Sequence, residues 1–237
     1  MKKLLMLVGV LAMGSQSILA QTTPTASQVI DKYIAAIGGK AALEKVTDVT
    51  THMSSEGQRG AIMITRKQKL PNKFSTVVNA NGTEVMRQIG NGSKVAMGGV
   101  QGSRTLEGVP AQQMTAINII FPELHYAENG VVSTLIGPEK VANKDTYKIS
   151  HTTSDGSATW TDNFDAVTGL KVQSVITGKS QRGDEITTTM AYSDYRVVNG
   201  IKFPMTIQQQ SSRGPMAMTV DNVRINRGLR DSDFRVK

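Results

Sequence analysis

The sequence predicts a mainly β fold of the α+β class, with roughly eleven or twelve antiparallel strands in a meander and two helical segments. Short apolar runs recur along the chain, and clusters of Gly, Asn or Asp separate them. The Asn-Gly pairs at 81–82 and 91–92 are strong hairpin signals, because both residues tolerate positive φ. From 201 to 208 apolar and polar residues alternate, which indicates a strand that buries one face. A chain of 237 residues, 39% of them hydrophobic, is expected to form one such domain.

The N-terminus predicts a secretory signal peptide over residues 1–20. Two lysines precede an apolar run from 4 to 12, and the small residue Ala20 stands at the expected cleavage point. This run is too short for a membrane span of ~20 residues. We therefore expect a soluble, exported protein in the periplasm, with a disordered lead-in at 21–26 and a single folded domain at 27–237.

Composition limits the chemistry and the partners that we expect. Cleavage removes two of the 27 basic residues and none of the 19 acidic ones, so the net charge falls from +8 to +6. Such a balance favours anionic surfaces such as lipid headgroups. Nucleic acid is not an expected partner of an exported chain. Cysteine is absent, which excludes disulfides, thiolate metal sites, a cysteine nucleophile and a lipid anchor on cysteine.

The first folded stretch predicts a helix followed by strands. Thr25 and Gln28 have the spacing of a capping box, an apolar stripe runs from Val29 to Ile37, and the glycines at 38–39 end the helix. One more helical turn is expected at 41–46. Strands are predicted over 49–54, 61–70, 74–80, 84–89 and 94–97. The glycine-rich stretch 98–108 predicts a mobile loop.

The second helix is predicted over 110–121. Pro110 suits a first helical position, and Met114, Ile117, Phe121 and Leu124 follow at spacings of three or four residues. A helix inserted between two runs of strands must lay its apolar face on the sheet. We therefore expect this helix to act as a lid.

The second half of the chain predicts a further meander that ends in a charged segment. Strands are expected over 131–140, 145–152, 158–164, 170–177, 185–192, 201–209 and 216–225. In the segment 227–237 Asp231 and Asp233 lie beside arginines, which predicts a short strand or a solvated tail of mixed charge.

Particular strings in these elements resemble a known family. They are the opening at 29–40, Phe121-Pro122-Glu123-Leu124, and the stretches 135–149, 160–172 and 192–204. Together they are similar to the outer-membrane lipoprotein-sorting proteins, the LolA/LolB-like lipoprotein carrier superfamily, over residues 27–226. The resemblance implies a single curved antiparallel half-barrel of about eleven strands, with helices covering the concave face above an apolar cavity for acyl chains. In lacking an anchoring cysteine, the chain resembles the soluble periplasmic carriers of that family more than the anchored receptors.

The predicted function is non-enzymatic binding of a lipid or a lipoprotein acyl chain by a monomer, in envelope lipid or lipoprotein trafficking, with a membrane surface or an envelope protein as a further partner. The predicted cavity residues are Met114, Ile117, Phe121, Trp160, Phe164, Phe203, Met205 and Ile207. Flexible methionines on the lid and the strands suit ligands of variable shape. Similar domains are appended to exported zinc peptidases, so a non-catalytic interaction module with a collapsed core is the alternative.

No catalytic, metal or cofactor site emerges from the sequence. The three histidines His52, His125 and His151 lack partners at metal-ligand spacing, so strand or loop positions are expected for them. No serine stands at nucleophile-elbow spacing. Asp162 and Asp165 are interpreted as turn residues that accept hydrogen bonds from their own backbone. No nucleophile, base and orienting group can be assembled, so we do not expect an enzyme.

Overall fold

A computed structural model shows one open, curved antiparallel sheet of 13 strands. It describes residues 23–57, 60–100, 102–156, 158–179, 185–212 and 214–236. The predicted signal peptide and the first two residues of the lead-in lie outside the described residues. Residues 23–25 carry no regular structure, and the first helix begins at Ala26. The prediction of a mainly β half-barrel is confirmed.

The elements have the following bounds. The helices are α1 (Ala26–Ile37), α2 (Lys40–Leu43) and α3 (Val109–Asn118), with 3₁₀ turns at Pro122–Leu124 and Asp231–Phe234. The first six strands are β1 (Asp48–Gly57), β2 (Gly60–Lys69), β3 (Lys73–Ala80), β4 (Thr83–Gly90), β5 (Lys94–Gly99) and β6 (Gly102–Glu107). The others are β7 (Val131–Val141), β8 (Lys144–Thr153), β9 (Thr159–Asp165), β10 (Lys171–Lys179), β11 (Glu185–Val198), β12 (Ile201–Ser211) and β13 (Gly214–Ile225).

The strand order explains why one helix must cross the sheet. The order is β6-β5-β4-β3-β2-β1-β13-β12-β11-β10-β9-β8-β7. The chain thus starts in the middle, runs outward hairpin by hairpin to the edge strand β6, and resumes at the opposite edge with β7. It then returns inward until β13 pairs with β1. The connection from β6 to β7 has to span the width of the sheet, and it contains α3.

The glycine-rich stretch was predicted to be a mobile loop, and this prediction is wrong. Residues 102–107 form β6, which pairs with β5 from Gly99 opposite Gly102 to Lys94 opposite Glu107. This edge strand is almost entirely exposed, so it has no buried face to impose the alternation of apolar residues by which strands are recognised. The same stretch also explains much of the shortfall in the predicted number of strands.

The C-terminal segment is docked on the sheet, so the predicted solvated tail is also wrong. Phe234 is only 1% exposed. Asp233 lies 2.9 Å from the Nζ of Lys67, and Asp231 forms ion pairs of 2.8 Å with Lys69 and 2.9 Å with Lys73. The aspartates therefore neutralise lysines of β2 and β3 rather than the neighbouring arginines.

Helix α1 forms as predicted and closes one side of the core. The backbone N–H of Gln28 donates to the Thr25 hydroxyl at 3.2 Å, and the Thr25 N–H donates to the Gln28 side chain at 2.8 Å, which completes the capping box. The buried side chains are Val29, Ile30, Ile34 and Ile37. Gly38 then takes φ 149° against the backbone of Gly200, as expected of a residue that ends a helix.

Candidate ligand cavity beneath helix α3

A cavity of about 380 Å³ lies between the lid and the inner face of the sheet. We call α3 and the segment that follows it to Leu124 the lid. The cavity walls come from both halves of the sheet and from α1, and most of them are aliphatic or aromatic. Apolar lining residues are Ile37, Ile117, Ile119, Ile120, Phe121, Trp160, Ile176, Met190 and Phe203. The volume falls in the usual range for small-molecule sites, about 300–1,000 Å³.

The lid helix is shorter than predicted. It ends at Asn118, and Phe121 has a left-handed backbone with φ 45°. A residue before proline is disfavoured in the helical region, and Pro122 follows directly. The predicted stripe therefore does not continue to Phe121 and Leu124 along one helix face. Helix α3 instead buries the small residues Ala111, Thr115 and Ala116.

One polar side chain of β2 holds the end of α3, and a second lies close to it. The Nε2 of Gln68 donates to the backbone carbonyls of Asn118 at 2.8 Å and of Ile119 at 2.9 Å. An Nη of Arg66 lies 3.4 Å from the Oδ1 of Asn118. The carbonyls at a helix end have no partner within the helix, so Gln68 supplies the donor that they need.

The eight predicted cavity residues divide into two groups. Ile117, Phe121, Trp160 and Phe203 line the cavity, where the rings of Phe121 and Phe203 are 6.1 Å apart. Four do not line it. Met114 packs against a separate apolar cluster, and Phe164, Met205 and Ile207 belong to the main core. That the first four contact a ligand stays a prediction.

A buried ionic cluster at the cavity floor was missed by the sequence analysis. The Nζ of Lys171 lies 2.5 Å from a carboxylate oxygen of Glu123 and 2.8 Å from one of Asp162. The side chain of Lys171 is 12% exposed, that of Glu123 5% and that of Asp162 1%. Because Glu123 lies in the lid and the other two lie in the sheet, this cluster ties the end of the lid to the floor.

Electrostatics favours the charged forms of Asp162 and Lys171. Burial alone would raise the pKa of Asp162, but the Lys171 ammonium, with help from His151, holds that pKa well below its usual range. Burial would lower the pKa of Lys171, whereas Asp162 and Glu123 raise it well above the ordinary value. Each partner thus keeps the other ionised, as expected when opposite charges share a buried site.

The interpretation of Asp162 as a turn residue is wrong. It lies in β9, where Ser174 donates to one oxygen at 2.5 Å and His151 approaches the other at 3.4 Å. Trp160 and Phe164 stand two residues away on either side, and both are buried. An acidic residue with buried aromatics at i−2 and i+2 on a strand faces the core, because side chains alternate. That pattern was the available signal.

For Asp165 the turn interpretation is confirmed. Its Oδ1 accepts hydrogen bonds from the backbone N–H groups of Val167 at 2.9 Å and of Thr168 at 2.8 Å. The two aspartates therefore differ in role although they are three residues apart. One is a charged member of the cavity floor, and the other shapes the turn that leads to β10.

Ser133, His151 and Asp162 lie in a row across β7, β8 and β9. Ser133 and the Nδ1 of His151 are 2.8 Å apart. His151 is completely buried and stacks on Trp160 at 5.1 Å between ring centroids. Neither Ser133 nor His151 lines the cavity, so the row is not open to a substrate from the cavity.

The described part of the chain contains no group of three or more His, Cys, Asp or Glu residues placed to hold a metal ion. None of its helices combines the length and the hydropathy that crossing a lipid bilayer requires.

Solved structures share this architecture. A LolA superfamily protein from Nitrosomonas europaea matches with a TM-score of 0.58 at 12% identity, covering 90% of this chain and 98% of that one. A DUF1329 family protein from Desulfovibrio piger matches with a TM-score of 0.56 at 12% identity, covering 89% and 97%. An outer membrane lipoprotein-sorting protein domain from Vibrio parahaemolyticus matches with a TM-score of 0.54 at 9% identity, covering 88% and 95%.

No protein-family model and no curated protein matches the chain. At these identities the structural matches concern the fold. They agree with the open curved sheet and with the resemblance seen in the sequence. The chain therefore has the LolA-like half-barrel fold.

Proposed function

We propose that this chain is an exported, non-enzymatic binding protein that holds a lipid or the acyl part of a lipoprotein in the cavity beneath α3. The observation that carries the proposal is the unfilled cavity between lid and sheet, with Ile117, Phe121, Trp160 and Phe203 on its walls. Protein cores are normally packed to crystal-like density. An apolar space of this size therefore fits a ligand better than it fits a structural core.

The fold supports the same function. Two of the structural relatives are described as a LolA superfamily protein and a lipoprotein-sorting domain. Each methylene of an acyl chain that leaves water for such a cavity contributes ~0.8 kcal/mol. A chain of ordinary length would bind well even without a polar contact. A periplasmic location and a role in envelope lipid or lipoprotein trafficking complete the proposal.

The lid residue Ile117 offers a direct test. Replacing Ile117 with Asp places a carboxylate in the cavity wall and should abolish binding of a fluorescent fatty acid. Gln112→Asp is the matched control, because Gln112 lies on the exposed face of the same helix. We expect both variants to keep the circular dichroism spectrum of the unaltered protein. Equal binding by the two variants, or no binding by the unaltered protein, would refute the proposal.

The alternative is an interaction module, and one observation favours it. β7 is a free edge of the sheet, and it exposes Val132 and Ile136, each 61% accessible. Exposed edge strands can pair with a strand of another protein. Mass spectrometry of lipids that co-purify with the protein separates the two functions, because a module with no ligand would carry none.

A further inference from the structure

Arg66 is a cavity residue whose charge lacks an acidic partner. It lies on β2 and lines the cavity with Gln68 and Asn118. Among the described residues, no carboxylate forms an ion pair with it, and its Nε is buried without a hydrogen-bond partner. Its contact with the side-chain oxygen of Asn118, at 3.4 Å, is long for a hydrogen bond, whose usual N–H···O distance is about 2.7–3.2 Å.

Lys171 lies in the same cavity and, unlike Arg66, has ion-pair partners. Its ammonium contacts two carboxylates, Glu123 and Asp162. Those two acids are therefore already engaged. Burial lowers the pKa of Arg66, and Tyr192 and, to a smaller extent, Glu123 partly offset that effect. A buried cation without a partner is costly, and a buried cation that gains an anion is stabilised. Of the three cations that line the cavity, Lys171 has carboxylate partners, whereas Arg66 and Lys202 form no ion pair with any described residue.

We infer that Arg66 receives the anionic head group of the ligand, so that the cavity selects single-chain amphiphiles with a carboxylate or a phosphate at one end. This inference rests on the proposed function. A guanidinium offers several N–H donors in a planar fork that matches both anions. The apolar walls around Trp160 and Ile176 would take the acyl chain, while the head group replaces the long contact with Asn118.

The position of Arg66 also links the ligand to the lid. Asn118 is the last residue of α3, and its side-chain amide donates to the carbonyl of Met114 at 2.8 Å. Gln68 holds the same helix end through two carbonyls and does not depend on Arg66. An anion that recruits Arg66 would therefore leave the lid in place.

The test compares ligands that share one chain and differ in charge. Binding of oleate, oleoyl lysophosphatidate and the neutral oleyl alcohol is measured by displacement of a fluorescent probe from the purified protein. We expect the two anions to bind more tightly than the alcohol. Arg66→Gln should weaken binding of the anions by about 10- to 100-fold and leave the alcohol unchanged. A loss for one anion alone would identify that head group as the ligand's.

Two further variants keep the test interpretable. Arg66→Lys retains the charge without the fork and should give an intermediate loss. Arg224→Gln removes an exposed arginine of β13 and should change nothing. Equal binding of the alcohol and the anions, or an equal loss of all three in Arg66→Gln, would overturn the inference and leave the proposed function standing. If none of the three binds, the proposed function fails as well.

Discussion

The two ends of the lid are held in opposite ways. The start of α3 rests on a dry apolar cluster of Phe74, Val95 and Ala111, none more than 1% exposed. The segment after α3 is held by polar side chains, Gln68 on two carbonyls and Lys171 on Glu123. The cavity adjoins the polar end. We call these the dry anchor and the polar anchor.

The difference between the two anchors indicates which end of the lid can open. The fully buried Phe74 ring belongs to the same apolar cluster as Ala111 of the lid. Separating such surfaces exposes apolar area to water with no compensation. Hydrogen bonds and ion pairs can instead be exchanged for contacts with water or a ligand. We therefore expect the dry anchor to act as a pivot and the polar anchor as the side that opens.

The largest expected effect comes from the centre of the polar anchor. Replacing Lys171 with Met leaves Glu123 and Asp162 buried without a cation, and breaking a buried pair in this way costs about 3–5 kcal/mol of unfolding free energy. Lys140→Met is the control, since that lysine and its partner Asp145 are 71% and 74% exposed. Urea unfolding should show a large loss for the first variant and little change for the second. Equal losses would mean that the buried ion pairs contribute no more to the free energy of unfolding than the exposed pair does.

A pair of phenylalanines compares the dry anchor with the cavity wall. Phe74→Ala should cost about 3–5 kcal/mol, because the fully buried ring leaves a hole in a packed cluster. Phe203→Ala should cost less, because Phe203 already faces an open space, and it should weaken fatty-acid binding instead. Thermal unfolding and probe displacement on both variants check this. If Phe203→Ala proved as destabilising as Phe74→Ala, the cavity would have to be a packed core.

A smaller effect is expected at the lid carbonyls. Gln68→Leu removes the donor that serves Asn118 and Ile119 and leaves their carbonyls short of a partner, at about 1–3 kcal/mol. Hydrogen exchange should speed up in the lid segment after α3 while the amides of β3 stay protected. Gln208→Leu, at an exposed position of β12, is the control. Faster exchange at the start of α3 as well would show that the two anchors are not independent.

The smallest effect is expected where an ion pair is exposed. Lys69 and Lys73 lower the pKa of Asp231 to about 2. Its contribution to stability is therefore present above its unfolded pKa of about 3.9 and is lost as the pH falls through about 2. Asp231→Asn should lower the melting temperature slightly at neutral pH, and the difference should vanish in high salt because exposed charges are screened. A decrease in melting temperature that does not depend on salt would mean that this ion pair is shielded from solvent as the buried pairs are.

Local chemistry in the sequence was enough to determine most of the elements. The capping box at Thr25, the glycine stop at Gly38 and the Asn-Gly hairpins depend on residues a few positions apart, and all three are observed. Alternation located the strands that bury one face. The edge strand β6 was not predicted, because it buries neither face and therefore shows no alternation. Helix α3 was placed correctly, but its end was not, because the predicted apolar stripe was continued to Phe121, the residue before Pro122, where a helical backbone is disfavoured.

Only the tertiary structure decided the cavity floor and the anchors. Glu123, Asp162 and Lys171 come from three separate elements, and no spacing along the chain indicates that they meet. The pairing of β1 with β13 sets which side chains of the two halves face each other across the cavity. The docking of Asp231 and Asp233 on β2 and β3 likewise depends on where the chain returns. A sequence pattern records which face a residue takes, whereas its partner on that face depends on the strand order, which here pairs β1 with β13.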